Sequence, residues 1–263
     1  MARILAIVNQ KGGVGKSTTA VNLAAYLAVA GNRVLLVDVD PQGNATTGVG
    51  VDKRRLDGCV YHVLMGERSI ESVIRPTEVS GLEVAPATID LAGAEIELVS
   101  ALSREFRLKR GLEPVEDRYD YILVDSPPSL GLLTLNGMAA AHKVLVPIQC
   151  EFYALEGLSQ LMRTIEMVRE HLNPGLGVAG VVLTMYDPRT NLSQQVVEDV
   201  RSFFAGRVRV FETLIPRNVR LTEAPSHGKP IVLYDPQCRG AEAYRSLAEE
   251  VMRYEPSGAR ARA

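Results

Sequence analysis

The 263-residue sequence predicts an α/β fold, a doubly wound, mostly parallel sheet flanked by helices. Three observations predict it. Short continuous apolar runs alternate with longer stretches of helical periodicity along the chain. The apolar content, 46% of residues, is carried by Ala, Val, Leu and Ile, since aromatics reach only 5% and Trp is absent. Runs that are apolar at every position suit strands covered by helices on both faces, and strand alternating with helix implies right-handed crossovers.

Residues 4–9 read as the first strand. Behind it Ala20, Leu23, Ala24, Leu27 and Ala28 fall on one helical face, and Gly31 stands where a C-terminal cap belongs. Residues 34–37, ending in Asp38, and 121–124, ending in Asp125, read as buried strands. Further strands are expected at 82–85, 144–149, 178–184 and around 213–215. Helices are expected at 130–141, 154–172, 191–204 and about 241–254, the last with Tyr244, Leu247, Ala248 and Val251 on one face. Residues 43–80, rich in Gly and charge, read as loops with one or two short helices. The basic run Arg104, Arg107, Lys109 and Arg110 reads as the exposed side of a helix. With no Pro/Ser-rich linker, residues 1–254 form one expected domain and 255–263 a disordered tail.

Composition excludes several classes. A formal net charge of −2 with ordinary apolar content excludes disorder, collagen and a disulfide scaffold. Cys59, Cys150 and Cys238 lie far apart with no C-x-x-C pair, as expected of reduced thiols in a cytoplasmic protein. No apolar run approaches the roughly 18 residues of a membrane span, and residues 4–8 are too short for a signal-peptide core. The near-zero net charge gives no bulk attraction to nucleic acid or acidic membranes, so any such binding needs a local patch.

The chemistry begins after the first strand, where Lys11-Gly12-Gly13-Val14-Gly15-Lys16-Ser17-Thr18 leads into the first helix. Strand, glycine loop and helix in that order form a phosphate cradle. The glycines let several N–H groups face one anion, the helix N-terminus adds its positive end, and Lys16 brings a full charge to the terminal phosphates. Ser17 is placed to give its hydroxyl to Mg²⁺. In open α/β sheets ligands sit beyond the carboxyl ends of the strands, and here three ends deliver the loop, then Asp38 and Asp40, then Asp125. Phosphoryl transfer needs an in-line water, a metal on phosphate oxygens and positive charge on the transition state. Asp40 is assigned to the water, and Asp125 to Mg²⁺ through its water shell, with Asp38 sharing that shell.

Gln10 holds the place of the usual first glycine, and Lys11 is an additional lysine. In this the sequence resembles the deviant Walker A ATPases of the P-loop class, and among them the ParA/Soj chromosome- and plasmid-partitioning family. The resemblance extends through Val37-Asp38-Val39-Asp40-Pro41-Gln42-Gly43-Asn44, Asp125-Ser126-Pro127-Pro128, Tyr153-Ala154-Leu155-Glu156-Gly157 and residues 215–226. It implies ATP as nucleotide, an ATP-dependent sandwich homodimer in which Lys11 reaches the other subunit's nucleotide, and Asp40 as the hydrolytic residue. Gly12 then lies at the subunit boundary. Thr184-Met185-Tyr186-Asp187 has the spacing of a guanine-reading loop without its lysine and is assigned beside the base. By resemblance Pro216, Arg217 and Asn218 join Met185 there.

The resemblance further implies non-specific binding of double-stranded DNA, for which Arg189, Arg217 and Arg220 are candidates, and nucleoid association. Few aromatics argue against base stacking and for phosphate contacts that weaken with salt. A ParB-type centromere-binding partner that stimulates hydrolysis, and contact with the replication initiator, follow from the resemblance alone. A nucleotide switch acting on replication initiation shares every residue named. A MinD-like reading needs a terminal amphipathic helix, and the sequence ends without an apolar face, so no membrane partner is expected. An electron carrier of nitrogenase-reductase type needs cluster cysteines, and Ser126 follows Asp125 instead.

Overall fold

A computed structural model describes residues 1–152, 155 and 157–255. Among them eight strands form one sheet: β1 (Arg3–Ile7), β2 (Val34–Asp38), β3 (Arg75–Pro76), β4 (Leu82–Ala85), β5 (Tyr121–Asp125), β6 (Lys143–Gln149), β7 (Gly177–Tyr186) and β8 (Val210–Pro216). The α-helices are α1 (Lys16–Val29), α2 (Asn44–Gly48), α3 (Val60–Met65), α4 (Ile70–Val73), α5 (Leu91–Glu97), α6 (Arg107–Leu112), α7 (Leu132–Ala140), α8 (Leu158–His171), α9 (Asn191–Phe204), α10 (Val219–Glu223), α11 (Ile231–Tyr234) and α12 (Arg239–Tyr254). The sheet order is β3-β4-β2-β5-β1-β6-β7-β8, parallel throughout except for the antiparallel edge strand β3.

Alternation along the strands divides the core in two, because successive side chains point to opposite faces. Leu5, Ile7, Leu36 and Leu123 pack with α1 and α12 on one face. Ile4, Ala6, Leu35, Val37 and Val124 pack with α7 and α8 on the other. Every residue of β2 and β5 is buried, which is why these strands are apolar at all positions up to their terminal aspartates. Register then sets the functional end of the sheet level. Ile7 of β1 and Asp38 of β2 both pair with Asp125 of β5, so the chain leaves three adjacent strands at one height.

The structure departs from the sequence reading in several places, among them the short helices α5, α10 and α11. Residues 43–80 hold three short helices, α2 to α4, and the edge strand β3. None is long enough to show a hydrophobic period, and their ends are set by packing on the sheet. The helix expected from Ala154 begins at Leu158, with Tyr153, Ala154 and Glu156 outside the described residues. Strand β7 runs on to Tyr186 because β8 pairs with it there, Tyr186 against Pro216. Glu255, assigned to the tail, is buried: its carboxylate meets Lys143 Nζ at 2.6 Å and its carbonyl accepts from Tyr121 Oη at 2.9 Å. The rest of the expected tail, 256–263, lies outside the described residues.

One buried polar side chain ties the helices behind the sheet together. Asn136 of α7 accepts from Leu108 N at 3.0 Å and donates to Arg104 O and Leu132 O at 2.8 and 2.9 Å. It is fully buried, so each of its partners becomes an unpaired group if the amide is removed. Asn136→Ala is expected to lower stability by about 2–4 kcal/mol, read as a shifted urea midpoint at unchanged slope.

Candidate active site

The loop between β1 and α1 is shaped by two glycines in the left-handed region, Gly13 at φ +74° and Gly15 at φ +87°. An L side chain at either is strained, so glycine here is a backbone requirement. Asn9 Oδ1 accepts from Lys11 N, and Gln10 Nε2 donates to Gly157 O, each at 3.0 Å, which anchors the loop's start. Lys16 Nζ spans the loop to Lys11 O at 2.9 Å. Burial lowers the pKa of Lys16, and the carboxylates of Asp125 and Asp40 oppose that shift. Val14 turns its side chain into the core, while its carbonyl accepts from Thr184 Oγ1 at 2.9 Å.

Two cavities meet at this loop. One of about 550 Å³ is lined by Gly12, Gly13, Gly15, Lys16, Ser17, Thr18 and Asp40, with Gln42, Asn44, Pro128 and Met185 on its walls. The second, about 420 Å³, shares Gly15, Thr18 and Met185 and is closed by Pro216, Arg217, Asn218 and Tyr244. The phosphate-loop residues and the residues assigned to the base are therefore brought to adjoining spaces. Met185 holds φ +52°, a strained value for a side-chain-bearing residue, and lies where the two cavities join.

The three carboxylates differ in what they bond. Asp38, fully buried, accepts from Thr46 N at 2.8 Å, Thr46 Oγ1 at 2.7 Å and Asp40 N at 3.1 Å. Burial still pushes its pKa up to about 6 against the pull of those bonds. Its Oδ2 takes both bonds from Thr46 and its Oδ1 the bond from Asp40 N, and it lines neither cavity. Asp40 is nearly buried, accepts from Gln42 N at 2.9 Å and reaches the larger cavity. Asp125 is fully buried and neither carboxylate oxygen has a hydrogen-bond partner. Burial raises its pKa well above the carboxylate range, Asp38 adds to the rise, and Ser17 and Lys16 oppose it.

An orphaned buried carboxylate beside a hydroxyl and an ammonium group is an unfinished polar site. Among the described residues no three His, Cys, Asp or Glu side chains form a metal cage. The donor set fits a hard cation that takes its remaining oxygens from water and phosphate, as Mg²⁺ does, with Asp125 and Ser17 as the protein's share.

Lys11, exposed at the outer side of the loop, is ion-paired with Glu151. Sequence reasoning missed Glu151, since the pair joins positions 140 apart with no local pattern to mark it. Of the DNA candidates, Arg189 is held bidentately by Asp187 at 2.9 and 2.7 Å. Arg220 lies 2.9 Å from Glu223 and 3.4 Å from Asp235, and Arg217 is exposed at the rim of the smaller cavity. Among the described residues no helix is long and apolar enough to cross a membrane.

A family model described as an AAA domain matches residues 2–178. The chain is 60% identical over 251 residues to the sporulation initiation inhibitor protein Soj of Bacillus subtilis, covering 95% of this chain and 98% of that protein. It is 56% identical over 253 residues to the chromosome partitioning protein ParA of Myxococcus xanthus, covering 96% and 89%. The chain belongs to the ParA/Soj family of chromosome-partitioning ATPases. Among solved structures it resembles a Mycobacterium smegmatis protein described as cobyrinic acid a,c-diamide synthase with bound ADP and magnesium. That likeness has 41% identity, a TM-score of 0.86 and coverage of 98% of this chain and 97% of that one. The family assignment agrees with the parallel sheet and glycine loop, and it gives Lys11 its interest as the loop's additional lysine.

Removing the orphaned charge has opposite effects on stability and activity. Asp125→Asn is expected to stabilise the nucleotide-free protein by about 1–3 kcal/mol in urea unfolding, because a buried unpaired carboxylate disfavours folding. The same variant is expected to lose ATP turnover in a steady-state phosphate-release assay.

Proposed function

We propose that this chain is an ATP-driven DNA-segregation ATPase whose ATP-bound homodimer binds duplex DNA without sequence preference and hydrolyses ATP on stimulation by a ParB-type partner. The observation that carries the ATP site is the convergence of the glycine loop, Asp40 and orphaned Asp125 at the level ends of β1, β2 and β5. Identity of 60% to Soj over nearly the whole chain supports partitioning over the amide-forming chemistry named for the 41% identical structure. The nucleotide's phosphates lie over residues 11–18 and its base lies in the smaller cavity beside Met185, Pro216, Arg217 and Asn218. No membrane partner enters the reading, and the protein works in the cytoplasm on the nucleoid. Acting on the replication initiator is the second output such a switch supports.

The chain's own residues divide the chemistry. Lys16 and the loop N–H groups bind the β- and γ-phosphates. Asp40 orients the attacking water and takes up its proton as the bond from the γ-phosphorus to the bridging oxygen breaks. Ser17 and, through water, Asp125 would hold a Mg²⁺ ion, which when bound would supply charge neutralisation on the phosphate oxygens. Asp38 keeps the Asp40 turn in place through the Asp40 N–H and Thr46. Lys11 must leave Glu151 to reach the second copy's nucleotide, so dimerisation exchanges an ion pair within one chain for a contact between chains.

Asp40→Ala is expected to bind ATP and dimerise normally while turnover falls by about 10² or more. Wild-type turnover in that variant would remove the assignment. Gly12 has room within its own chain, the nearest atom to an added Cβ being Pro128 Cβ at 3.9 Å. Gly12→Val should therefore fold and bind nucleotide yet stay monomeric with ATP in light scattering; an ATP-dependent dimer contradicts the sandwich.

DNA binding is tested by gel shift of the Asp40→Ala protein on non-specific duplex with ATP, ADP or no nucleotide. Binding in ATP alone, lost steeply as salt rises, is the expected result, since phosphate contacts release counterions. Arg189 and Arg220 must first exchange their carboxylate partners for phosphates. No binding in any state removes the partitioning mechanism and leaves the ATPase.

A further inference from the structure

The basic run after residue 103 is only partly a solvated helix face: Lys109 and Arg110 are exposed as expected, whereas Arg104 and Arg107 are half-buried. Two of its arginines, Arg107 and Arg110, line a pocket of about 260 Å³ between the end of α3 and the side of α6, together with Val63, Gly66, Arg68 and Ser69 among others. None of its lining residues lines either cavity of the nucleotide site. Arg107 and Arg110 stand three apart on α6 and so share a face, where like charges repel. Arg107 is half-buried, and its Nε is sealed from solvent without a hydrogen-bond partner. Two glycines make the recess. An added Cβ at Gly111 meets Val63 Cγ1 at 2.6 Å, so glycine there lets α6 close on α3. Gly66, at φ +78°, leaves room beside Arg107 Nη1, which lies 3.6 Å from where its Cβ stands.

The local carboxylates do not balance three guanidinium groups. Asp57 is bonded to Arg75 and lies 3.7 Å from Arg68 Nη1, while Glu71 is paired with Arg118 at 3.6 Å. Glu67, adjacent to Arg68 in sequence, is exposed. A buried guanidinium N–H with no acceptor is costly unless an anion supplies one. Planar forks arranged around a recess too small for a whole nucleotide suit one tetrahedral oxyanion. The geometry points to a second anion site, distinct from the nucleotide site, in which Arg68, Arg107 and Arg110 with the Ser69 hydroxyl bind a single phosphate group.

The test uses the full chain saturated with ADP and Mg²⁺, so that the glycine loop is already filled. Melting is followed while potassium phosphate replaces potassium chloride at constant ionic strength. Wild type is expected to gain about 3 °C, and the Arg107→Gln/Arg110→Gln double variant to gain none. In chloride the double variant should melt at or above the wild-type temperature, because two repelling charges have been removed. A clear fall there, or equal phosphate responses in the two proteins, overturns the site. Arg110→Gln alone, at an exposed position that does not endanger folding, should show a reduced response. A parallel gel shift with duplex DNA separates the sources of phosphate. An unchanged salt dependence in the double variant supports a free phosphate group, and a shallower one without a phosphate response overturns it in favour of backbone contact.

Discussion

Two carboxylates, Asp38 and Asp125, end neighbouring parallel strands in direct register, both fully buried. Placing them side by side out of water is unfavourable twice, by desolvation and by mutual repulsion. The fold answers the two costs differently. Asp38 is satisfied from behind by Thr46, whose hydroxyl also accepts from Ala87 N at 2.9 Å, so that one threonine joins β2, α2 and the end of β4. Asp125 is left facing Lys16 and Ser17 at the start of α1. The asymmetry converts a symmetric pair of strand ends into one hydrogen-bonded and one unpaired acid, and the Asp40 turn hangs from the hydrogen-bonded one.

The same helix that carries Lys16 and Ser17 is held further along by groups from the far end of the chain. Thr19 shares a 3.1 Å hydrogen bond with Tyr244 of α12, and Asn22 accepts from Ile231 N at 2.7 Å. Tyr244 also borders the smaller cavity, so that cavity and the glycine loop are both referred to the α1–α12 helix pair. Among the residues lining the two cavities, backbone strain at a side-chain-bearing residue falls at their junction, on Met185.

Much of this was legible in the sequence, for physical reasons that can be named. The ends of α9 were read correctly because Thr190 caps it, accepting from Ser193 N at 3.3 Å, and the apolar period runs its whole length. β2 and β5 were legible because burial on both faces demands apolar residues at every position. The glycine loop was legible because its backbone demands are met by few residue types. Short helices were expected between Gly43 and Ser80, but their number and bounds were not legible, since packing on the sheet decides them. Neither were the role of Thr46, the Lys11–Glu151 pair or the enclosure of Arg107, each of which depends on residues remote in sequence. The hydrogen bonds that Asp38 accepts from Thr46 and from Asp40 N were not legible either, since they depend on how the chain turns after β2.

The margins of the sheet bear on how copies of the chain can associate. On one side β3 is two residues long, runs antiparallel and ends in Pro76, which has no N–H to offer a further strand. On the other, the carboxylate of Glu250 takes the N–H groups of Glu212 and Thr213 in β8 at 2.9 and 2.8 Å, occupying donors a docking strand would need. Growth by edge pairing, the common route to uncontrolled fibres, is thus obstructed at both rims. Any self-association therefore has to use a face of the molecule other than the two sheet margins.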